Sequence, residues 1–391
     1  MEWVVLTSNI KMKKISETIF RMKPSGIREF FDYASEKPEV ISLGVGEPDF
    51  VTPKPIIEAA KKSLDEGKTF YTSNQGLPEL RSKISKYLSE RFDVYYEVDE
   101  MILTAGSSQG ILAALLALIN PGDEIIVTEP TYICYIPDIE MCGGKAVVIP
   151  LKCENNFKLK KEQLKKHITN KTKAVFLSFP NNPTGAIMTR QDLEEIAPLI
   201  IENDLYVISD EIYAELTYRD KHCSIASFDG FKERTILISG FSKAFAMTGW
   251  RLGYVCAPKE ILSQILKIQQ YIMLSAPTIA QYGAITALDE CIPDVLLMVE
   301  EYNKRRTYLL NSFKELGIDC FEAEGAFYLF PSIKKFNMTS REFCLKLLKE
   351  HNVLVVPGTA FGHSGEGFIR ISYATSMKNL EIFISVLKEL S

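Results

Sequence analysis

The sequence lacks the patterns that mark metal-binding and disulfide-bonded proteins. Its eight cysteines are dispersed, no two of them form a C-x-x-C pair, and the four histidines do not stand at metal-ligand spacings. Structural zinc sites and redox-active dithiols have such spacings, and small secreted proteins carry dense cysteine frameworks. We therefore predict no metal site and interpret the cysteines as thiols in a reducing, cytoplasmic environment.

Long hydrophobic runs and a dominant charge are missing as well. The longest apolar run, ILAALLALI at 111–119, has about half the length of a membrane-spanning helix. An apolar patch at 3–6 is too short for the core of a signal peptide. The net charge is only −5 over 391 residues, and both signs are interspersed. Neither a membrane nor a nucleic acid is expected as a partner, which leaves small molecules and a second copy of the chain.

The sequence has ample material for a core. Hydrophobic residues make up 46% of the chain, which at this length allows two domains. From about residue 100, short β-rich runs alternate with helical patterns, as is typical of a mainly parallel α/β sheet covered on both faces. The last two runs are too close together for a crossover helix, so one of them is expected to be antiparallel. Seven strands are predicted, at 101–106, 124–130, 145–151, 173–180, 205–211, 234–242 and 251–258.

The character of the sequence changes after about residue 285. A charged amphipathic stretch at 293–316 is followed by GAFYLFP, a helical pattern at 340–351, short β-rich runs and a final helix from about 377. This order predicts a smaller α+β domain at 285–391 beside a large domain at 50–284. Residues 1–49 have weak helix signals and are expected to pack with the small domain.

Four strand ends carry polar residues, and ligands of open α/β sheets bind beyond the carboxyl ends of the strands. TAGSSQG at 104–110 opens a helix, whose free N–H groups favour an anion such as phosphate. It matches neither the dinucleotide motif G-x-G-x-x-G nor a Walker loop. The other three are SFPNNPTGA at 178–186, VISDEIY at 207–213 and SGFSKAFAMTGWRLGY at 239–254.

Each of these motifs has an ordinary structural alternative when it is taken alone. TAGSSQG could be no more than a capped helix start, and SFPNNPTGA an ordinary tight turn. VISDEIY could supply the N-cap of the next helix, and the last motif could hold a surface lysine followed by a salt-bridged arginine. Taken together, they supply a phosphate cradle, a donor amide, an acid and an amine. These are the groups that pyridoxal phosphate requires.

The same motifs resemble those of the class I/II aminotransferases of fold type I, in particular the subgroup with the prokaryotic aspartate and aromatic aminotransferases. The likeness runs from MKPS at 22–25 through GVGEPDF at 44–50 and YTSNQGLPELR at 71–81 to RISYA at 370–374, nearly the whole chain. It implies a pyridoxal phosphate-dependent aminotransferase with a large, mainly parallel, seven-stranded α/β domain and a smaller α+β domain.

The resemblance implies roles for residues around the cofactor ring. Lys243 would hold the cofactor aldehyde as a Schiff base and then act as the general base that moves the proton of the substrate Cα. Asp210 would pair with the pyridine nitrogen. Tyr213 and Asn182 would bind the phenolic oxygen, and Tyr132 would stack on the ring.

The resemblance also assigns the phosphate and the substrate. Arg370 would bind the substrate α-carboxylate as a bidentate fork, with Gly46, Tyr132 and Asn182 nearby. Tyr71 would reach the phosphate in the other subunit, which implies a homodimer. The phosphate would otherwise be held by Ser107, Ser108, Ser242 and Arg251.

The resemblance alone does not determine which amino acid is the preferred donor. Some relatives that select acidic substrates carry a lysine at the place of Ser108, so that route to aspartate is missing here, although Arg28 offers another cation. Aromatic residues suit an aromatic substrate, but core packing explains any one of them equally well. We predict an aromatic or broad donor specificity with 2-oxoglutarate as acceptor, and aspartate as the alternative. The aromatic residues expected near the cleft are Phe20, Tyr71, Tyr132, Tyr135 and Phe361.

Three other functions are alternatives to an aminotransferase. A pyridoxal phosphate-dependent C–S β-lyase would use the same lysine and cofactor to eliminate a sulfur group, and a synthase acting at the substrate γ-carbon would also fit the motifs. A cofactor-sensing regulator needs a basic DNA-binding module, and only about 40 residues precede GVGEPDF. The regulator is therefore disfavoured.

Overall fold

The computed structural model describes residues 15–22, 37 and 39–391. All seven predicted strands are present, and they form one sheet. The strands of the described residues are β1 (Ile41–Ser42), β2 (Met101–Thr104), β3 (Glu124–Glu129), β4 (Lys145–Pro150), β5 (Thr172–Ser178), β6 (Tyr206–Asp210), β7 (Thr235–Gly240), β8 (Gly253–Cys256), β9 (Tyr328–Leu329), β10 (Val353–Leu354), β11 (Val356–Pro357) and β12 (Ile369–Ser372).

The seven-stranded sheet is mainly parallel. Its strand order is β2-β8-β7-β6-β5-β3-β4. Strands β3 to β7 run parallel to one another, whereas β8 is antiparallel to both β2 and β7. The expectation that one of the last two strands is antiparallel is confirmed, because the short connection from β7 to β8 leaves no room for a crossover helix.

Helices follow most of the strands and cover the sheet. The stretches predicted as helical at 293–316, at 340–351 and from about 377 match the last three helices. The helices of the described residues are α1 (Glu17–Arg21), α2 (Lys54–Asp65), α3 (Pro78–Phe92), α4 (Ser107–Leu118), α5 (Tyr135–Met141), α6 (Lys161–His167), α7 (Arg190–Glu202), α8 (Lys259–Ile272), α9 (Thr278–Glu290), α10 (Ile292–Glu315), α11 (Ser340–His351) and α12 (Met377–Leu390).

Both faces of the sheet are buried, which explains why its strands have continuous apolar sequences. On β3, Ile125 and Val127 pack on one face with Ile111 and Leu115 of α4. Ile126 points to the opposite face, where it belongs to the same cluster as residues of α7. Full burial of one such aliphatic side chain contributes ~1.5–3 kcal/mol, so the two layers fix the register of the strands.

The C-terminal part contains a separate antiparallel sheet of three strands in the order β11-β12-β9. Strand β12 carries Arg370, which is in register with Val356 of β11. Strand β1 pairs in parallel with β10 and so brings residues 41–42 to this part of the chain. The domain boundaries at 50 and 285 stay predictions, and most of the predicted N-terminal segment lies outside the described residues.

One further property concerns the helices as a group. Among the residues that the structure describes, no helix combines the length and the apolar character needed to cross a membrane.

Candidate active site

A cavity of about 720 Å³ lies at the carboxyl ends of the central strands. Of the twelve residues predicted for the site, Tyr71 does not line it, and the side chain of Tyr71 is 80% exposed. The other eleven line the cavity together: Gly46, Ser107, Ser108, Tyr132, Asn182, Asp210, Tyr213, Ser242, Lys243, Arg251 and Arg370.

The register of three neighbouring strands explains why these distant motifs meet. Ser178 at the end of β5 pairs with Asp210 at the end of β6, and Asp210 pairs with Ile238 of β7. Asn182 and Lys243 therefore leave the sheet on either side of Asp210. Parallel strands place their carboxyl ends at one edge, and this edge is the floor of the cavity.

Asp210 is a buried carboxylate that accepts hydrogen bonds from two groups. Its side chain is 4% exposed, and it accepts hydrogen bonds from the Tyr135 hydroxyl at 2.8 Å and from the Ile212 backbone N–H at 3.1 Å. Burial raises the pKa of Asp210 to about 6. It forms no ion pair with any described side chain. Burial of an unpaired carboxylate is costly, so the site is suited to a cationic ligand atom.

Lys243 faces the same space. Its Nζ donates a hydrogen bond to the carbonyl oxygen of Gly46 at 2.5 Å. Nζ also lies 5.8 Å from the ring centre of Tyr213 and 5.7 Å from that of Phe327. Burial, together with the positive charge of Arg370, lowers the pKa of Lys243 to about 8. An amine with this pKa is partly unprotonated near neutral pH and can act as a nucleophile or a base.

The N-terminus of α4 and Arg251 form a different kind of site. No side chain caps this helix end, so its first N–H groups are available to a ligand. Gly106 has φ +80°, and a Cβ there would lie 2.9 Å from Cζ of Arg251. The guanidinium is exposed and donates a hydrogen bond to the Thr248 carbonyl at 3.1 Å. This combination of a cation and free backbone donors fits phosphate.

Arg370 is buried, although it has no carboxylate partner among the described residues. Its side chain is 4% exposed, Nη1 donates to Asn182 Oδ1 at 3.0 Å, and Nη2 donates to the carbonyl of Gly44. Nε is buried without a hydrogen-bond partner in the described part of the chain. Two aromatic rings pack on the guanidinium, with the centre of Tyr328 4.6 Å and that of Phe361 4.8 Å from Cζ. Its unused donors favour an incoming carboxylate.

Tyr213, which lies near Lys243, and Tyr328, which lies near Arg370, connect these two charged groups. The hydroxyl of Tyr213 hydrogen-bonds that of Tyr328 at 2.7 Å. Burial raises the pKa of both hydroxyls, so both remain protonated donors. A Cβ on Gly46 would lie only 2.6 Å from the Tyr328 hydroxyl. Glycine at 46 therefore allows its backbone to approach Tyr328 while its carbonyl accepts from Lys243.

Sequence reasoning missed several lining residues and misplaced others. Tyr135 was expected only as an aromatic residue of the cleft, but its hydroxyl also contacts Ser178 at 2.8 Å and holds Asp210. Tyr328 was not predicted, although its place in GAFYLFP on a short strand was a usable signal. Of the other aromatic candidates, Tyr132 lines the cavity and Phe361 packs on Arg370, whereas Phe20 is 77% exposed and does not line it. Arg28 lies outside the described residues.

Comparisons with known proteins give matches that cover nearly the whole chain. Residues 38–387 match the model of the family "Aminotransferase class I and II". An aspartate aminotransferase of Pyrococcus abyssi is 45% identical over 371 residues, 94% of this chain and 95% of that protein. An aromatic-amino-acid aminotransferase of Thermococcus litoralis is 42% identical over 375 residues, with the same coverage of 94% and 95%. A solved structure of aspartate aminotransferase from Thermus thermophilus with maleate has a TM-score of 0.93 at 35% identity and covers 97% of this chain and 100% of that one.

Proposed function

The chain belongs to the class I and II aminotransferases, and on that basis we propose its substrates and the roles of its site residues. It is a pyridoxal phosphate-dependent transaminase of fold type I that transfers an amino group to a 2-oxo acid. We propose that aromatic L-amino acids are preferred donors within a broad specificity and that 2-oxoglutarate is an acceptor. We further propose that the enzyme is a cytoplasmic homodimer.

One observation carries the assignment of roles: five charged side chains without ion-pair partners among the described residues line one cavity. One of them, Glu47, accepts a hydrogen bond from the Thr248 hydroxyl at 3.1 Å, and the other four are assigned ligand groups. They are Asp210, Lys243, Arg251 and Arg370. Pyridoxal phosphate and an amino acid together offer one complementary group to each: a ring nitrogen, an aldehyde, a phosphate and a carboxylate. The residues of the site therefore fit the cofactor and the substrate at the same time.

The phosphate would bind at the N-terminus of α4. The free N–H groups of the first turn, the hydroxyls of Ser107, Ser108 and Ser242, and the guanidinium of Arg251 would all donate to it. The close packing of Gly106 against Arg251 leaves no room for a side chain between cation and helix. Backbone donors and cation therefore face one anion.

The ring of the cofactor would be held by groups on each side. Asp210 would pair with its nitrogen, and Tyr135 and the Ile212 N–H keep that carboxylate in position. Tyr213 and Asn182 would donate to its phenolic oxygen, and Tyr132 would stack on its face. When bound, pyridoxal phosphate supplies an electron-withdrawing ring that accommodates the electron pair released when the Cα–H bond of the amino acid breaks.

Lys243 would bind the cofactor and move the proton. Because its pKa is about 8, about a tenth of the free amine is unprotonated at pH 7. As the proposed general base, Nζ would take the proton from the substrate Cα and hold it within the site for transfer. The Gly46 carbonyl, which accepts from Nζ, orients the amine during this transfer.

Arg370 would bind the α-carboxylate of both the donor and the acceptor. Asn182 and the Gly44 carbonyl each occupy one of its Nη groups and fix the plane of the guanidinium. The remaining N–H donors can bind two carboxylate oxygens in parallel. This contact orients Cα towards Lys243, which is also in the field of Arg370.

The side-chain specificity is proposed from what remains of the cavity wall. Among the described lining residues, the lysine and arginines are Lys243, Arg251 and Arg370, and each already has a proposed ligand group. Ser108 provides no positive charge. Apolar side chains also line the cavity, including Ile111 and Ile133. These features favour an aromatic or other apolar donor, while the 45% identity to an aspartate aminotransferase keeps aspartate as the second candidate.

The proposed dimer rests on an exposed aromatic and aliphatic surface near Tyr71. Phe70, Tyr71, Tyr271 and Leu274 are all exposed. Two hydrogen bonds join the segment of Phe70 to Asn74 with the segment that follows α8. The Thr278 hydroxyl donates to the Phe70 carbonyl at 2.8 Å, and the Asn74 side-chain amide donates to the Leu274 carbonyl at 2.9 Å. Such a surface favours an interface between two copies. Tyr71 would then complete the phosphate site of the other subunit.

The assignment is tested by the visible spectrum of the purified protein loaded with pyridoxal phosphate. We expect a yellow protein whose absorbance band disappears with phenylalanine and returns with 2-oxoglutarate. A Lys243→Ala variant should lose this cycle, with transfer rates reduced by about 10⁴-fold. The matched control is Lys267→Ala, on the exposed face of α8. Cycling by Lys243→Ala at the control rate would contradict the proposed role.

Donor specificity is tested by the same reaction with a panel of amino acids. Tyrosine, phenylalanine and aspartate are compared by kcat/KM with 2-oxoglutarate as acceptor. We expect the aromatic donors to match or exceed aspartate. A preference for aspartate by orders of magnitude would replace the first candidate with the second.

A further inference from the structure

A loop of the C-terminal part lies over Arg370 and reaches back to strand β3 of the large sheet. The loop, residues 358–365, consists of two short helical turns, Gly358–Phe361 and His363–Gly365. Its two ends contact each other, because a Cβ on Gly358 would lie 2.9 Å from the backbone carbon of Gly365. The Gly358 N–H also donates to the Phe368 carbonyl at 2.8 Å. The loop is therefore a closed unit that is expected to move as one piece.

The ring of Phe361 is the part of this loop that touches the site. It is buried, and its centre lies 4.8 Å from Cζ of Arg370, which also lies 4.6 Å from the ring centre of Tyr328. Two aromatic faces exclude water and keep the planar guanidinium in one orientation. Since a bidentate contact needs that orientation, the position of Phe361 affects carboxylate binding.

Two contacts with the end of β3 hold the loop in place. The backbone N–H of Thr131 donates to the carbonyl of Phe361 at 3.0 Å. The carboxyl group of Glu129 packs directly against the next residue, Gly362, where a Cβ would lie 2.5 Å from Oε2. Gly362 also has φ +123°, so both its backbone conformation and the nearby carboxylate require glycine.

Glu129 is a buried acid that forms no ion pair with any described residue. Burial raises the pKa of Glu129, while the nearby backbone N–H groups of Ser364 and His363 and the charge of His363 oppose that rise. The carboxylate therefore faces the backbone of the loop at Gly362. Truncation of a buried side chain that packs on a loop leaves a cavity and removes the packing that holds the loop in place.

We propose that Glu129 is a positioning residue for substrate binding: it holds the loop 358–365 against β3 and so keeps Phe361 on the guanidinium of Arg370. The effect applies to the α-carboxylates of donor and acceptor alike. The inference rests on the proposed role of Arg370 and adds a residue that touches neither substrate nor cofactor.

The test compares Glu129→Gln and Glu129→Ala with a matched control on the same strand. Glu124 begins β3, is equally buried, and binds Thr169 at 2.6 Å and Lys145 at 2.9 Å. It lies about 16 Å along the strand from Glu129. Glu124→Gln therefore reports the general cost of removing a buried carboxylate from β3, without any contact with the loop.

We expect Glu129→Ala to raise the KM of both phenylalanine and 2-oxoglutarate by about tenfold, with kcat within about threefold of the parent enzyme. Glu129→Gln retains an acceptor oxygen and should give an intermediate KM. Binding of 3-phenylpropanoate, which has the carboxylate but no amino group, should weaken by the same factor. The affinity for pyridoxal phosphate should not change, whereas a general loss of structure would lower it as well.

Phe361→Leu extends the test to the proposed link. If Glu129 acts through this ring, the KM increase of Glu129→Gln combined with Phe361→Leu should be smaller than the product of the two single increases. Should Glu129→Ala fail to fold, the Gln variant and this double variant still decide the question. Equal KM values in Glu129→Gln and Glu124→Gln, or fully multiplicative effects, would overturn the proposal.

The companion variant Arg370→Lys separates this inference from the proposed function. Weak 3-phenylpropanoate binding in Arg370→Lys, together with unchanged binding in the Glu129 variants, would contradict only the role of Glu129. Unchanged binding in Arg370→Lys would instead contradict the proposed carboxylate site.

Discussion

The two ends of the cavity differ in how much water reaches their charged groups. At the outer end, Ser108 and Arg251 are exposed, and the ligand groups include the backbone N–H groups of α4. At the inner end, Asp210 and Arg370 are both 4% exposed. Charges at the outer end keep most of their hydration, whereas those at the inner end lose it on folding. The inner charges therefore depend on a ligand for compensation, and this makes the two ends unequal in chemistry and in stability.

The pKa values follow this difference. Burial raises the pKa of Asp210 to about 6, and burial with the charge of Arg370 lowers that of Lys243 to about 8. Desolvation disfavours the charged form in both cases, so an acid and a base are shifted towards each other. Such shifts are frequent at sites of proton transfer, which supports the roles proposed for Asp210 and Lys243 at the inner end.

The largest effect is expected from removing the inner negative charge. Asp210→Asn should lower kcat by about 10³-fold, because the ring nitrogen loses its ionic partner. The same change should stabilise the protein without cofactor. The folded pKa of about 6 lies above the ordinary 3.8, so folding favours the protonated acid. The resulting penalty on folding grows between pH 3.8 and about 6 and is fully present above pH 6, where the buried carboxylate is charged. Asparagine removes that penalty, and the unfolding temperature at pH 7.5 should rise.

The control for this prediction is Asp204→Asn, since the Asp204 side chain is 96% exposed and pairs with Arg234 at 3.2 Å. Calorimetry and steady-state rates should show little change in that variant. If Asp210→Asn lowers both activity and stability, the inner carboxylate is not under the desolvation cost described here.

A smaller effect is expected at the outer end. Arg251→Ala should weaken pyridoxal phosphate binding by about tenfold, since solvent and salt screen an exposed cation and the N–H groups of α4 remain. The difference from the parent enzyme should shrink as salt concentration increases. Equilibrium titration of the protein freed of cofactor, at low and high salt, measures both quantities. If Arg251→Ala lowered kcat by a larger factor than Asp210→Asn does, the ranking of the two ends would be reversed.

The smallest expected effect is a shift in pH dependence. In the proposed role of Lys243, loading of the cofactor-free protein uses the unprotonated amine, so the loading rate should rise with pH through about 8. The positive charge of Arg370 contributes to the low pKa of Lys243. Arg370→Gln should therefore move the midpoint to higher pH, by less than about one pH unit. Stopped-flow absorbance measures the midpoint, and a shift to lower pH would show that Arg370 does not act on the amine in this way.

Much of the fold was predictable because its information is local. The strands are continuous apolar runs since both faces of the sheet are covered, and the short gap between β7 and β8 was enough to predict an antiparallel strand. The helices at 292–315, 340–351 and 377–390 followed from their amphipathic patterns. The placement of β8 between β2 and β7 was not predicted, because strand order depends on contacts between distant segments.

The candidate site was predictable to the extent that its residues lie in distinctive motifs. Asp210 ends strand β6, Lys243 lies three residues beyond the end of β7, and the motifs around them also supported a family resemblance. Tyr135 and Tyr328 were missed as site residues because their partners, Asp210 and Tyr213, are 75 and 115 residues away. An aromatic residue in an apolar segment has the same local pattern whether it packs in the core or binds a catalytic group.

By itself, the sequence determined the class of sheet, the positions of most strands and helices, and the cofactor for which the strand-end motifs are suited. It could do so because periodicity and turn chemistry act over a few residues. Only the tertiary structure decided which charges lost their water. Burial depends on segments that are far apart in the chain, such as the loop with Phe361, the strand with Arg370 and the turn with Asn182. That loss of hydration, rather than the identity of the residues, sets the pKa values of Asp210 and Lys243 and leaves Arg370 with donors for a carboxylate.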